Sequence, residues 1–473
     1  MDVLHEVVTL RNSLRPVNRL PPEVIALCAT FVSNSDPRPI VSLTHVCRYW
    51  RKAITSSPRN WASISSDWKR LVPSCLERAG EVPLTVDIRV SDIKGDEIFL
   101  EAILPHTSRI AHLSLAGYRS IAAVAKIIPI FFISTMHNLI SLELQQSSKP
   151  LEIFPFEAPP MSPISWELSR LTSLRLTRTP LYPALTNITS LVELDFAGYT
   201  TPFNFRKFTS FLGSNPDLKI ITLDIQFVDC MPWVWSMRTV SLPRLRYLSF
   251  TCADPMDARG LFSSLFLPRG VSLEVIGSQA NQCFELYSFL PSPPTPIQEI
   301  LAPITTIKYQ NYPRAVEFHG NDSYLSFRCS QFPFGTYSEF SLFPITTVRE
   351  FHVKIDPYSD LSWPLSQLPA LETLVLVGVP AFPIQAFAFL TEQPVLCPSL
   401  KTIAFFDCVL NSRATRELEE GVARRKNSTA AWLHRIAIVR RSGALPDHKF
   451  IHRLRSYVPY VDARIDDKLP DLT

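Results

Sequence analysis

One short pattern returns along most of the chain and limits what it can fold into. "IAHLSLAG" begins at Ile110, followed by "LISLELQ" at Leu139, "LTSLRLT" at Leu171, "LVELDFA" at Leu191, "LKIITLDI" at Leu218 and "LRYLSF" at Leu245. The pattern resumes with "VREFHVKI" at Val348, "LETLVLVG" at Leu371, "LKTIAFF" at Leu400 and "LHRIAIV" at Leu433. Each copy follows the form L-x-x-L-x-L, with other apolar residues taking some of the leucine positions; alternate residues of a short strand enter a core and the first apolar residue packs where the chain comes in. Within the two runs the copies recur at intervals of 20 to 33 residues. Four copies carry proline two residues ahead of the leading leucine, at Pro216, Pro243, Pro369 and Pro398, a device that turns the chain into the strand. Between strands, residues 205–216, 382–394 and 413–425 read as helices. Strand then helix, stacked repeatedly, predicts a curved solenoid.

These intervals resemble those of a leucine-rich repeat array, and a degenerate one, because the Asn or Cys that follows the motif in that family is absent from most copies. Between about 281 and 345 the pattern fails. There "ITTIKYQ", "AVEFHG" and "YLSFRC" alternate like strands separated by short polar turns, which predicts an insertion with hairpin character. The alternative is an ordinary α/β domain with leucine-rich parallel strands.

The 473 residues exceed one typical domain, and 46% hydrophobic against 19% charged residues excludes a largely disordered chain. Glycine is scarce (13) beside proline (41), which argues against phosphate-cradling glycine loops. A net charge of +4 is too small to argue for nucleic acid. The one local basic run, Arg424, Arg425 and Lys426, reads as a solvated helix end, with a nuclear address or an acidic partner as the alternative. Nine scattered cysteines form no C-x-x-C, so neither a disulfide framework nor a cysteine zinc site is signalled, and a reducing, intracellular location (cytoplasm, nucleus or both) is expected. The N-terminal segment carries Asp2 and Glu6 and reads as a short amphipathic helix rather than a secretion signal. The most apolar stretch, 121–133, contains Lys126 and Pro129 and is too short to span a bilayer, so no membrane partner is expected.

No constellation for catalysis is present. The chain has no G-x-G-x-x-G, G-K-[ST], G-x-S-x-G or H-E-x-x-H, and His45 and Cys47 lie two apart on a predicted helix and so point apart. The expectation is a non-enzyme with no cofactor and no metal.

The first sixty residues differ from the rest. Pro21 and Pro22 mark a helix start, since the N–H that proline lacks would be unsatisfied there, and Glu23 suits the positive end of the helix dipole. Val24, Leu27, Cys28 and Phe31 recur at i, i+3, i+4 and i+7, which predicts one buried stripe ending near Val32. A second helix is predicted from Ile40, Leu43, Cys47, Trp50 and Ile54, with Trp61 folding back on the pair and both cysteines in the core. Two helices this short bury too little surface to stand alone.

The run Leu20-Pro21-Pro22-Glu23-Val24-Ile25, then Val46-Cys47-Arg48-x-Trp50-Arg51, Ile54, Pro58 and Trp61 resembles the F-box-like domain common in fungal proteins. That resemblance implies a small helical module that docks a Skp-type adaptor and, through it, a cullin, using Leu20, Pro21, Glu23, Val24, Ile25, Val46, Cys47, Trp50, Ile54 and Trp61 for docking or for its own core. The apolar wall of the first helix is then a docking surface. The structural alternative is a helical hairpin that packs on the remainder of the chain.

The expected fold is thus α/β: a small all-α F-box-like module followed by an irregular leucine-rich-repeat solenoid. The expected organisation is an amphipathic segment over 1–17, the F-box-like domain over 18–64, a linker helix within 65–82 (Pro73 to Ala79, stopped by Gly80), repeats over 83–465 beginning with a strand from Leu84 to Ile88, and a polar tail over 466–473. The expected function is a substrate-receptor subunit of a Skp–cullin–F-box ubiquitin ligase; a leucine-rich scaffold with no ligase role is the alternative. An unknown target protein would bind residues that project between the buried leucines, with Arg175, Glu193, Asp195, Asp224 and Tyr247 as candidates.

Overall fold

The computed structural model describes residues 6–466 except 8–9, 12–13, 33–37, 90–92, 119–135, 147–167, 180–182, 199–202, 226, 229–239, 278–285, 292–298, 301–303, 312–313, 321, 330–342, 344, 355–361, 379–386, 388–389, 391–395, 429–430, 442 and 444. The fold is mixed α/β with a large, mostly parallel β-sheet. It divides into two compact units, Met1–Thr200 with Ser214–Leu218, and Thr201–Gly213 with Lys219–Thr473. Most of the predicted N-terminal segment, all of 121–133 and most of the helix predicted over 382–394 lie outside the described residues. Among the described residues no helix is long and apolar enough to cross a membrane.

The first unit opens with helices α1 (Pro22–Val32), α2 (Arg38–Thr44) and α3 (Arg48–Thr55). Strand β1 (Ser63–Ser65), helix α4 (Val72–Ala79) and strand β2 (Leu84–Arg89) follow. Gly80 ends α4 with φ +52°, at the position predicted for the stop. Then come β3 (Ile110–Tyr118), β4 (Ser141–Gln146), β5 (Ser173–Thr177) and β6 (Glu193–Ala197), each pairing in parallel with the strand before it. Register aligns the alternating apolar residues into rows: Val86, Leu113, Leu142, Leu174 and Leu194 in one, Ile88, Leu115, Leu144, Leu176 and Phe196 in the next. All ten are buried.

The second unit repeats the device with β7 (Ile220–Asp224), β8 (Tyr247–Cys252) and β9 (Ser272–Gly277) in parallel. The next three strands, β10 (Ile304–Asn311), β11 (Arg314–Gly320) and β12 (Tyr324–Cys329), form an antiparallel meander where hairpins were predicted. Its outer members return to parallel pairing, β12 with β9 and β10 with β13 (Glu350–Lys354). The sheet ends in β14 (Thr373–Val377), β15 (Thr402–Phe406), β16 (Arg435–Arg440) and β17 (Tyr460–Ile465), all parallel. The apolar row passes through the meander unbroken, as Leu325, Phe318, Ile307 and Phe351. All ten copies of the sequence pattern are strands, and each leading residue from Ile110 to Leu433 is buried.

A shared turn follows several strands. Two residues past the last inward side chain the backbone is left-handed, at Gly117 (φ 80°), Arg178 (55°), Gly198 (69°), Gly378 (61°) and Asp407 (53°). Glycine adopts this region freely, whereas Arg178 and Asp407 each hold it at a cost of about 1 to 2 kcal/mol. Hydrogen bonding offsets that cost: the Arg178, Gly378 and Asp407 N–H groups donate to Ala197, Phe406 and Val439 carbonyls on the neighbouring strand at 2.7 to 2.8 Å. One residue on, Thr179 Oγ1 and Cys408 Sγ each donate at 3.2 Å to the carbonyl of the last inward leucine of an adjacent strand, Leu144 and Leu376.

Three expectations are corrected. The stripe Val24, Leu27, Cys28 and Phe31 is exposed, and α1 buries the opposite face, Ile25, Ala26 and Ala29. Ala26 and Ala29 there allow close approach to the neighbouring helices, and Ile25 fills the core beside them. The single helix predicted over 40–54 is broken into α2 and α3, because Cys47 is extended (φ −161°, ψ 173°) and precedes α3 as its N-cap. His45 and Cys47 therefore share no helix. Finally, Arg425 is no solvated basic residue. It lies on helix α5 (Ser412–Lys426) and is 1% exposed, its guanidinium donating to the carbonyls of Ala431, Leu396, Cys397, Pro398 and Leu400. Burial lowers its pKa and pushes the neighbouring Cys397 thiol up to about 12, so the guanidinium faces a neutral thiol.

Two stability predictions follow from this packing. Leu374→Ala should cost about 2 to 5 kcal/mol in urea unfolding by opening a cavity, while Thr373→Ala, half-buried on the other face, should cost far less. Arg425→Met, which strands several buried carbonyls, should cost roughly 3 kcal/mol, and Arg424→Ala, exposed next to it, should be nearly neutral.

Candidate functional site

The residues predicted on the helical segment separate by burial. Ile25, Ile54 and Trp61 are core, and Trp61 folds back as expected: its Nε1 donates to the Ile54 carbonyl at 3.1 Å, and Arg78 lies over its ring. Cys47 and Trp50 are half-buried, with Trp50 Nε1 donating to Asn18 Oδ1 at 2.7 Å. Leu20, Pro21, Glu23, Val24 and Val46 are exposed. The Tyr49 hydroxyl donates to the Leu20 carbonyl at 2.7 Å and so ties the start of α1 to α3. The outcome is a row of uncovered apolar side chains on one face of α1, with Leu27 57% and Phe31 70% exposed. Leaving such a row in water is unfavourable unless something covers it.

Of the strand-face candidates, Arg175, Glu193 and Asp195 belong to the first unit. Arg175 lies between Glu143 and Asp195 in register on β4, β5 and β6, its Nε 2.8 Å from Asp195 Oδ2 and its guanidinium 3.8 Å from Glu143 Oε1. Glu193 is beside them, its Oε2 accepting from Ser173 Oγ at 3.5 Å. Asp224 and Tyr247 belong to the second unit, on adjacent strands but at opposite ends of the pairing, since Tyr247 is opposite Ile220 and Asp224 is opposite Thr251.

Tyr247 does lead to a larger site. Its hydroxyl donates to Glu274 Oε2 at 2.6 Å, and Glu274 also holds Arg328 at 3.1 Å. Ser249, Glu274, Ser326, Glu317, Lys308 and His352 occupy one register line across β8, β9, β12, β11, β10 and β13. Alongside it run Tyr324, His319, Thr306 and Glu350. His352 Nε2 is 2.6 Å from Glu350 Oε1, His319 Nε2 is 3.3 Å from Glu317 Oε2, and the His319 ring packs on Tyr324. Glu274, Glu317 and His352 side chains are each under 20% exposed, so these polar groups are set into the sheet face. Past His352 the same line becomes Val375, Ala404 and Ala437, all buried, before it reaches Asp462 on β17.

Sequence reasoning passed over this constellation, although its signal was present: within each meander strand the polar residues fall two apart, as in Glu317 and His319 or Ser326 and Arg328. The groups can donate and accept hydrogen bonds and stack on aromatic surfaces of a bound polypeptide. No family model matches the chain, and no curated protein is significantly similar to it.

Burial and the Lys308 charge lower the pKa of His319, so the unfolded chain takes up a proton first as pH falls through about 6.5, the ordinary value. The hydrogen bond from His352 lowers the pKa of Glu350, whose contribution is present above the ordinary carboxylate range and is lost as pH falls through its folded-state value. Stability should therefore decline below about pH 6.5 and again in the carboxylate range. His319→Asn should flatten the first decline and Glu350→Gln the second, in denaturant unfolding followed as a function of pH.

Proposed function

We propose that the chain is the substrate-receptor subunit of a Skp–cullin–F-box ubiquitin ligase. Its helical N-terminal segment acts as an F-box-like module that docks the Skp-type adaptor, and its strands act as a degenerate leucine-rich-repeat solenoid that holds a target protein. The observation that carries the reading is the uncovered apolar row of α1, which falls within the residues that resemble an F-box and faces away from the buried side formed by Ile25, Ala26 and Ala29. A surface of this kind is what a docking helix needs, because burying each such side chain contributes about 1.5 to 3 kcal/mol. The polar face from Tyr247 to His352 offers the target a mixture of aromatic, acidic and basic groups.

The chain itself performs no bond chemistry in this reading. Holding a target near a charged ubiquitin-conjugating enzyme raises the effective concentration of its lysines, and the partners carry out the transfer.

Binding of the full chain to a purified Skp-type adaptor tests the proposal. Leu27→Glu with Phe31→Glu should weaken it roughly 100-fold. Leu20→Ala with Trp50→Ala should abolish capture at the same concentrations, while circular dichroism of the strands stays unchanged. Binding that survives both pairs of changes would refute the docking assignment.

A further inference from the structure

We propose that the chain self-associates through β17, which pairs antiparallel with β17 of a second copy. The geometry of the strand carries the inference. Tyr460 N–H donates to the His434 carbonyl at 3.1 Å and Asp466 N–H to the Arg440 carbonyl at 2.9 Å, so the even-numbered residues direct their main-chain groups at β16. In a parallel strand alternate residues turn those groups to opposite sides. Val461, Ala463 and Ile465 therefore direct theirs away from β16, where the Val461 carbonyl accepts from Arg455 Nη2 at 3.4 Å, and among the described residues β17 has no second strand neighbour. Tyr460 and Ile465 are 70% and 60% exposed at its two ends. A strand edge left in this state is a template for pairing.

Charge and the length of strand overlap then select the partner and the register. Two antiparallel copies of β17 must place Val461, Ala463 and Ile465 in hydrogen-bonded pairs, so the two-fold axis can pass only through a residue position, and successive choices differ by one. An axis through Asp462 sets two carboxylates face to face, and one through Arg464 sets two guanidinium groups face to face. An axis through Ala463 places each Asp462 opposite the Arg464 of the other copy, in the non-hydrogen-bonded pairs where side chains lie closest. The same register sets Val461 opposite Ile465 and covers an apolar side chain that one copy leaves in water. Arg464 already bridges Asp462 and Asp466 of its own strand at 3.7 Å each, so its guanidinium stands among the carboxylates it would share. The strand is self-complementary, which is what a two-fold interface requires.

Sedimentation equilibrium of the full chain over a concentration series tests this. The expected mass is twice the 53.6 kDa of one chain at high concentration. Asp462→Arg and Arg464→Glu should each be monomeric where the wild type is dimeric, and an equal mixture of the two should regain the dimer mass, because the mixed pair restores both opposite-charge contacts. Ala463→Cys places two thiols on the axis at a Cα separation of about 5.5 Å, within disulfide reach, and should give a covalent dimer on oxidation that the wild type does not give. A wild type that stays monomeric throughout would overturn the proposal. So would single-charge variants that still dimerise, a mixture that stays monomeric, or an Ala463→Cys chain that does not cross-link.

Discussion

Lateral hydrogen bonding between short parallel strands, held in register by stacked leucines, is the constraint from which the rest of the molecule follows. Each strand is only five or six residues long in most of the array, too short to be stable without neighbours on its flanks. The rows of buried leucine, valine and phenylalanine supply apolar burial, and a one-residue slip would turn every one of them toward water. Left-handed turn residues lock the register at the strand ends by passing an amide to the next strand, as Arg178, Gly378 and Asp407 do. Where the array is interrupted, the antiparallel meander preserves the row through Phe318 and Ile307, so the insertion changes strand direction without opening the core.

That arrangement leaves the other face of the sheet free to vary. Between Tyr247 and His352 it carries tyrosines, histidines and paired charges, while at Val375, Ala404 and Ala437 it is small and apolar. The helical segment uses the opposite logic. Its core holds Ile25, Ile54 and Trp61 together with Ala26 and Ala29, while Leu27 and Phe31 of α1 are placed outside. The proposed division of labour, docking at α1 and recognition on the strand face, rests on this difference between a surface with an apolar row and a surface with a polar network.

Much of the sheet was legible in the sequence because a period-2 pattern with a leading leucine determines both strand and facing. The hairpins of 304–329 were legible for the same reason. The strand Ser272–Gly277 escaped because the leading position, three residues ahead of its first inward side chain Leu273, is Gly270 rather than a large apolar residue. Helical periodicity was less informative. Val24, Leu27, Cys28 and Phe31 do share a face of α1, but period identifies a face and not what covers it, and the alanines opposite turned out to be the buried side. The extended Cys47 broke a helix whose apolar spacing ran on through it. Arg425 could not be read from sequence either, because a carbonyl cage built from residues 396–400 and Ala431 exists only once the chain is folded. On the strand face the partners of the candidates appear only in the fold: Arg175 pairs with Asp195, itself a candidate, and Tyr247 with Glu274.

Hydrogen–deuterium exchange of the intact chain, with and without a purified Skp-type adaptor, is the most direct measurement of the proposed docking. If α1 meets the adaptor through its outer row, amides of residues 20–32 and those around Val46 should slow on binding, while those of β13 to β17 should exchange unchanged. Unaltered exchange in α1 at saturating adaptor, or protection confined to the strands, would contradict it.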